Sequence, residues 1–343
     1  MNHNTSSNPA VFVLSLDTEL AWGNFVRVKD PLKKTQMFRT RYCIQQLLDL
    51  LETYNIRATW AVVGHLMLDA CHPDENGVKH PQAIRPAYSW HPGDWFEDDP
   101  CTSLQEDPLW YGMDIVNKIR SCAVPQEIAS HSFAHQIFGD PGCHWACADT
   151  DIRLAVFAAQ ALNIQMDSFV YPKNSIAHQT VLAKYGFRIY RGEGTEWYNR
   201  FRHPLLRKIL HFLDDLLAVP PAADTLHRDN DNLFYTNGNM MYQSMEGLRK
   251  LIPLRARVRK AKMGINKAVA QGKIFHLWLH PFNLASDPTR LLAGLEEIFK
   301  HVKNLEDAGR LVNLPMRELP AFFGIKPDPA DVLINEGTAN YIR

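Results

Sequence analysis

The sequence predicts an α/β fold in which a mostly parallel sheet is covered by helices, wound open or closed as a barrel. Short apolar runs rich in β-formers recur along the chain, stretches with helical spacing of apolar residues separate them, and polar groups stand at the C-terminal ends of several runs.

Residues 11–16 (Val-Phe-Val-Leu-Ser-Leu) read as a buried first strand ending at Asp17. A helix is expected over 35–54, where Leu47, Leu48, Leu50 and Leu51 fall at helical spacing, and residues 57–63 form a second strand closed by Gly64, completing a β-α-β unit. Residues 71–108, crowded with Pro, His, Asp and Trp and without periodicity, are expected to be a long loop insertion, and loops of that length are usually functional. A helix over 109–121, a strand over 127–130, a helix over 149–164, a strand over 168–171, a helix over 175–185 and a strand over 187–190 continue the alternation. A basic segment over 246–273, a strand over 274–279 and a helix over 288–304 close it. We expect one catalytic domain over 1–325 and a surface tail over 326–343.

The chain has 343 residues, 46% of them hydrophobic, enough to bury a core without disulfide or metal staples. Its 37 basic and 37 acidic residues cancel, which argues against a general nucleic-acid binder. The N-terminal Met-Asn-His-Asn-Thr-Ser-Ser lacks the basic and apolar regions of a signal peptide, and no run reaches the ~18 apolar residues of a membrane span. Six irregularly spaced cysteines suit reduced thiols, so a cytoplasmic protein is expected.

In parallel α/β folds, reactive groups gather beyond the C-terminal strand ends. Four strands here end in such groups: Asp17-Thr-Glu19, His131-Ser-Phe-Ala-His135, Pro172-Lys-Asn174 and His280-Pro281. His131 and His135, four apart, can share one ion, and a carboxylate from another strand would complete a common catalytic-metal set with a position open for water. Two histidines and a carboxylate suit zinc best and also accept iron, cobalt or nickel.

The segment Glu127-Ile-Ala-Ser-His-Ser-Phe-Ala-His135 resembles the His-[Ser/Thr]-x-x-His motif of the polysaccharide deacetylase (NodB-homology) family. Leu14-Ser-Leu-Asp-Thr-Glu19 is similar to an Asp-x-Glu variant of that family's first motif, and Ala58-Thr-Trp-Ala-Val-Val-Gly64 to the strand that follows it. Phe169-Val-Tyr-Pro-Lys-Asn174, Glu196-Trp197 and Phe275-His-Leu-Trp-Leu-His280 stand in order where the later motifs are expected. The resemblance implies a distorted (β/α) barrel of about seven strands. It implies Asp17 as general base, Glu19 as carboxylate ligand beside His131 and His135, and His280 as general acid, with Glu196 a candidate to tune it. The Asp-x-Glu spelling leaves open which carboxylate binds the ion. Tyr171, Pro172, Asn174, Trp197 and Trp278 would line the substrate pocket, with Leu277 beside them.

One departure stands out. The family's third motif supplies an arginine that holds the base; the aligned residue here is Val170, and Lys173 is the nearest substitute. The activity implied is hydrolytic N- or O-deacetylation of a carbohydrate or glycan precursor, in the making of a surface polysaccharide. The missing arginine keeps a metal-independent hydrolase of a cyclic amide or ureide as the alternative. Residues 249–273 carry nine Lys or Arg and no acid, a stripe for peripheral contact with anionic groups or simply a solvated face. Trp90, Trp95, Trp110 and Tyr111 are divided between a sugar platform and core. Cys143, His144 and Cys147 lack a fourth ligand for a second metal.

Overall fold

A computed structural model describes residues 9–194 and 196–325; the tail expected over 326–343 lies outside them. The strands are β1 (Ala10–Thr18), β2 (Thr59–Val62), β3 (Glu127–Ser130), β4 (Ser168–Val170), β5 (Ile189–Gly192), β6 (His227–Arg228), β7 (Phe234–Asn237), β8 (Met240–Met241), β9 (Ile274–Leu279) and β10 (Leu311–Asn313). They form one sheet in the order β6-β7-β5-β4-β3-β2-β1-β9-β8, with β10 beside the first half of β1, and only β6–β7 is antiparallel. The sheet curls strongly into a half-barrel, and without the short β6, β8 and β10 its body is seven parallel strands.

Period-two alternation sorts each strand between two cores. On β1, Phe12, Leu14 and Leu16 face the outer core and pack with Leu47, Leu51, Leu277 and Leu295 beneath the helices. Val11 and Val13 face the barrel interior with Ala61, Ala129, Val170, Ile189, Phe234 and Ile274, where Met316 and Leu319 join them. The interior rows continue toward the C-terminal strand ends as Ser15 and Asp17 on β1, Arg191 on β5, and His276 and His280 on and after β9. The apolar layer therefore supports a polar one directly above it.

The expected helix over 35–54 is broken into Pro31–Phe38 and Thr40–Thr53, and the helix expected over 109–121 begins only at Met113. The helix following β3 spans Trp145–Ala161. The helix Pro204–Leu216 and strands β6, β7 and β8 were not anticipated from the sequence. Between Met67 and Met113 the chain is irregular apart from the bridge Ala70↔Ser103, as a loop insertion requires.

The basic segment forms the helix Leu254–Gln271, and much of its charge is used internally. Buried Arg257 donates to the carbonyls of Gln243, Ser244 and Arg249; buried Lys260 pairs with Asp214 and Asp215; Lys262 reaches Glu297. Arg257 and Lys260 therefore belong to the packing of the fold, whereas Arg255 and Arg259 of the same helix are exposed. No helix among the described residues is long and apolar enough to cross a membrane.

Candidate metal centre and catalytic groups

The two-residue period of β1 puts Asp17 and Glu19 on the same side at the barrel mouth. Leu20 then turns the chain with a positive φ of 48°. Glu19 Oε1 lies 3.2 Å from His131 Nε2, 3.2 Å from His135 Nε2 and 3.2 Å from His280 Nε2. Glu19, His131 and His135 are all buried, and their ligand atoms lie within 4.8 Å of one another. For ions held at ~2.0–2.2 Å by nitrogen and oxygen in tetrahedral geometry, neighbouring ligand atoms stand ~3.3–3.5 Å apart, so this donor set fits a transition metal. His131 Nδ1 lies 2.7 Å from the carbonyl of Val170, a contact that places the proton on Nδ1 and leaves Nε2 free to bind.

The loop carrying both histidines has no helical form, and it is held from several sides. Ser132 and His135 adopt positive φ of 68° and 55°, conformations that persist only when surroundings over-determine them. The Asp151 carboxylate, on the helix Trp145–Ala161, accepts from the backbone N–H groups of Phe133 (2.8 Å) and Ala134 (3.1 Å). From the insertion, the Trp95 indole N–H donates to the Ala134 carbonyl at 2.8 Å, and the Tyr88 hydroxyl accepts from the Ile137 N–H at 2.6 Å. Gly23 leaves room for the Glu19 carboxylate: a Cβ there would come within 1.8 Å of Oε2.

Asp17 is held by an arginine from β5, four strands away from β1 in the sheet order. Arg191 Nη1 and Nη2 each donate to an Asp17 carboxylate oxygen at 2.7 Å, and both side chains are buried. Arg191 is the cross-strand partner of Val170, one strand from the position the resemblance indicates. The substitute suggested for that arginine, Lys173, lies instead with its ammonium over the Trp90 ring at 4.6 Å, so the expectation that it holds the base is corrected. Further contacts fix the guanidinium: Ser15 Oγ at 3.1 Å, Asn174 Oδ1 at 3.0 Å and the Trp278 ring at 4.2 Å. Ser15 Oγ in turn lies 2.8 Å from Nε2 of buried His276.

Burial pushes the Asp17 carboxyl up, but the Arg191 charge and hydrogen bonds outweigh it and hold the group below its ordinary range. Burial also opposes ionisation of Glu19, yet His280 and His135 draw it well below the usual value. His280 is raised despite burial, chiefly by the Glu19 charge, whereas burial lowers His135. His276 is driven down to about 3 by burial, with Arg191 adding to the effect.

Other expected site residues fall differently. The Glu196 carboxylate accepts from Asn199 Nδ2 at 3.0 Å and the Trp197 indole N–H donates to Asp214 at 2.6 Å. The acidic partners of His280 are Glu19 and Asp17, at 3.2 and 3.7 Å, so tuning by Glu196 is corrected. Tyr171 is a buried aromatic packed on Phe169 and Tyr190, and Pro172 is buried beside it. Trp95, Trp110 and Tyr111 are core; Trp90 is 49% exposed and stacks on Tyr88. Cys143 and Cys147 are free, buried thiols and His144 is exposed, so these three do not form the second metal group weighed from sequence.

The residues the sequence reading missed are Arg191, Ser15, His276 and Asp151. A charged residue following Ile189-Tyr190 in an apolar strand was the available signal for Arg191.

The class these features define is one of fold: a curled α/β half-barrel like that of solved polysaccharide deacetylases, with buried clusters able to bind a metal. No family model matches the sequence, and no curated protein does. Among solved structures, a provisionally named polysaccharide deacetylase from Mycobacterium smegmatis superposes with a TM-score of 0.60 at 13% identity, covering 94% of each chain. Another from Pseudomonas aeruginosa PAO1 has a TM-score of 0.55 at 10% identity, covering 91% of this chain and 90% of its own. The 4-alpha-glucanotransferase of Thermococcus litoralis has a TM-score of 0.51 at 12% identity, with 93% of this chain matching 41% of that one. At these identities the likeness is one of fold.

Proposed function

We propose that this chain is a metal-dependent hydrolase that removes an N- or O-acetyl group from a carbohydrate or glycan precursor. The observation that carries the proposal is the convergence of His131 and His135 on Glu19 Oε1, beside an Asp17 held ionised by Arg191. Glu19, His131 and His135 would hold the ion, zinc before iron, cobalt or nickel. When bound, such an ion polarises an acyl carbonyl and makes water a competent nucleophile near neutral pH.

The protein's own groups supply the proton transfers. Asp17 is the general base: its carboxylate is paired with Arg191 and sits at the mouth beside the proposed ligands. Arg191, fixed by Ser15, Asn174 and the Trp278 ring, keeps that carboxylate oriented and charged. His280 is the general acid, raised by its acidic neighbours so that it retains a proton to give the departing amine or alkoxide. The arginine whose apparent loss kept a cyclic-amide hydrolase in view is present as Arg191, and that alternative loses its main support. Action in the cytoplasm on a surface-polysaccharide precursor is part of the proposal, supported by six free thiols.

The test is elemental analysis of wild type and of His131→Ala/His135→Ala, with acetate release measured on N- and O-acetylated sugars. A transition metal lost in the variant, with acetate released only by wild type, is expected. A folded wild type that refuses zinc and cobalt at the His131/His135 centre would overturn the reading.

A further inference from the structure

A second group of ligand-type side chains lies in the insertion, and the mechanism above does not use it. His65, in the turn after β2, meets Cys71, His80 and Asp99, with one ligand atom from each within 4.8 Å of the others. His65 and Asp99 are fully buried and the His80 side chain is 10% exposed. Cys71 Sγ lies 3.5 Å from His65 Nε2, 3.6 Å from His80 Nε2 and 3.7 Å from Asp99 Oδ2. Asp99 Oδ2 lies 3.2 Å from His65 Nε2 and 2.7 Å from His80 Nε2.

These separations are close to the edges of a zinc tetrahedron. Bonds of ~2.3 Å to sulfur and ~2.0–2.2 Å to nitrogen and oxygen give edges of ~3.5–3.7 Å involving sulfur and ~3.3 Å between nitrogen and oxygen. Of the five separations given, the His80–Asp99 edge is the short one, at hydrogen-bond length, and an ion has to open it. Hydrogen bonding alone accounts poorly for the group, because a thiol has one weakly donated proton and Cys71 Sγ faces all three ligands plus the Tyr111 hydroxyl at 3.2 Å. The supporting contacts are those of a metal site. His65 Nδ1 lies 3.2 Å from the Trp110 carbonyl, directing Nε2 inward, and Asp99 Oδ1 accepts from the Cys101 N–H at 3.0 Å.

We propose that His65, Cys71, His80 and Asp99 form a structural zinc site that clamps the insertion to the end of β2. Four protein ligands close the coordination sphere and leave no position for water, unlike a catalytic site. The thiolate and two imidazoles select zinc over magnesium or calcium. The insertion has almost no regular structure of its own, so a metal staple supplies order that backbone ladders do not. The site also reaches the catalytic side: Trp22 packs on the His65 ring with centroids 4.5 Å apart, and the Trp22 backbone N–H donates to the Glu19 carbonyl at 3.1 Å.

Cobalt substitution tests the site without depending on the deacetylase reading. Cobalt-loaded wild type should show a sulfur-to-cobalt charge-transfer band and the intense visible bands of a tetrahedral ion. Cys71→Ser should abolish the charge-transfer band and lower the metal content by about one ion per chain, whereas His131→Ala/His135→Ala should keep the band. Chelation of wild type should speed proteolysis within residues 71–108. If Cys71→Ser does not fold, the wild-type spectrum alone decides. A folded, cobalt-saturated wild type with no sulfur-to-cobalt band overturns the proposal, as does unchanged metal content in folded Cys71→Ser. A band that survives in a His131/His135 variant which has lost no metal would support this site while removing the other.

Discussion

Replacing Arg191 with Met removes the guanidinium from a pair in which its own side chain is 1% and that of Asp17 3% exposed. The substitution keeps much of the length and apolar bulk beside Trp278 but leaves a buried carboxylate without its two 2.7 Å donors. An exposed ion pair lost in this way costs about 0–1 kcal/mol. A buried pair broken on one side costs about 3–5 kcal/mol, a large part of the ~5–15 kcal/mol that holds a domain folded. Urea unfolding of the metal-free chain measures the loss without a contribution from ion binding. Asp17→Asn/Arg191→Met should recover much of it, because the stranded charge goes with the partner. A single-variant loss under about 1 kcal/mol, or a double variant no more stable than Arg191→Met, would refute the claim that this contact is a desolvated charge pair.

Further outcomes follow from neighbouring residues. His276 is neutral in the fold and titrates at about 3 rather than 6.5. Below 6.5 the unfolded chain gains a proton that the folded chain refuses, so stability present above 6.5 is lost as pH falls toward 3, by an amount on the order of 4 kcal/mol. His276→Gln should flatten that slope in unfolding measured across the same range. Asp151→Ala leaves two buried N–H groups unpaired and should cost roughly 2–4 kcal/mol in thermal or urea unfolding, with weaker metal retention, while Asp151→Asn should recover part of both. Gly23→Ala crowds the Glu19 carboxylate and should lower zinc affinity in a competition titration with little change in the melting temperature of the metal-free chain. His280→Ala should reduce acetate release by about 10²–10⁴-fold while metal content is retained, separating the acid from the ligands.

The parts of this fold that were legible in the sequence are those governed by a short period. Residues 11–16 and 274–279 are buried on both faces and bounded by polar groups, and both strands were placed within two residues of their ends. The strand expected over 187–190 stops short of Arg191, which the structure places inside Ile189–Gly192, because a charged residue looks like a boundary when its buried partner cannot be seen. The Pro204–Leu216 helix escaped notice for another reason. Leu205, Leu206, Ile209 and Leu213 do fall at helical spacing, a signal the sequence offered, but in the fold that stripe stays exposed by 40% or more instead of facing the core. The His65, Cys71, His80 and Asp99 group has no sequence period, since its spacing is set by the path of an irregular loop. Asp151 looked like an ordinary helix residue until the fold brought the histidine loop over it.

The pairing of Val170 with Arg191 has a wider consequence. Interior residues facing each other on adjacent parallel strands share one level of the barrel, so a long side chain from either can address the same carboxylate. The guanidinium can thus change its address along the chain while keeping its place in space. A motif read letter by letter records Val170 as a loss, whereas the barrel conserves the charge. Exchanging the pair, Val170→Arg with Arg191→Val, would show by its stability relative to Arg191→Val alone whether the carboxylate accepts its partner from either strand.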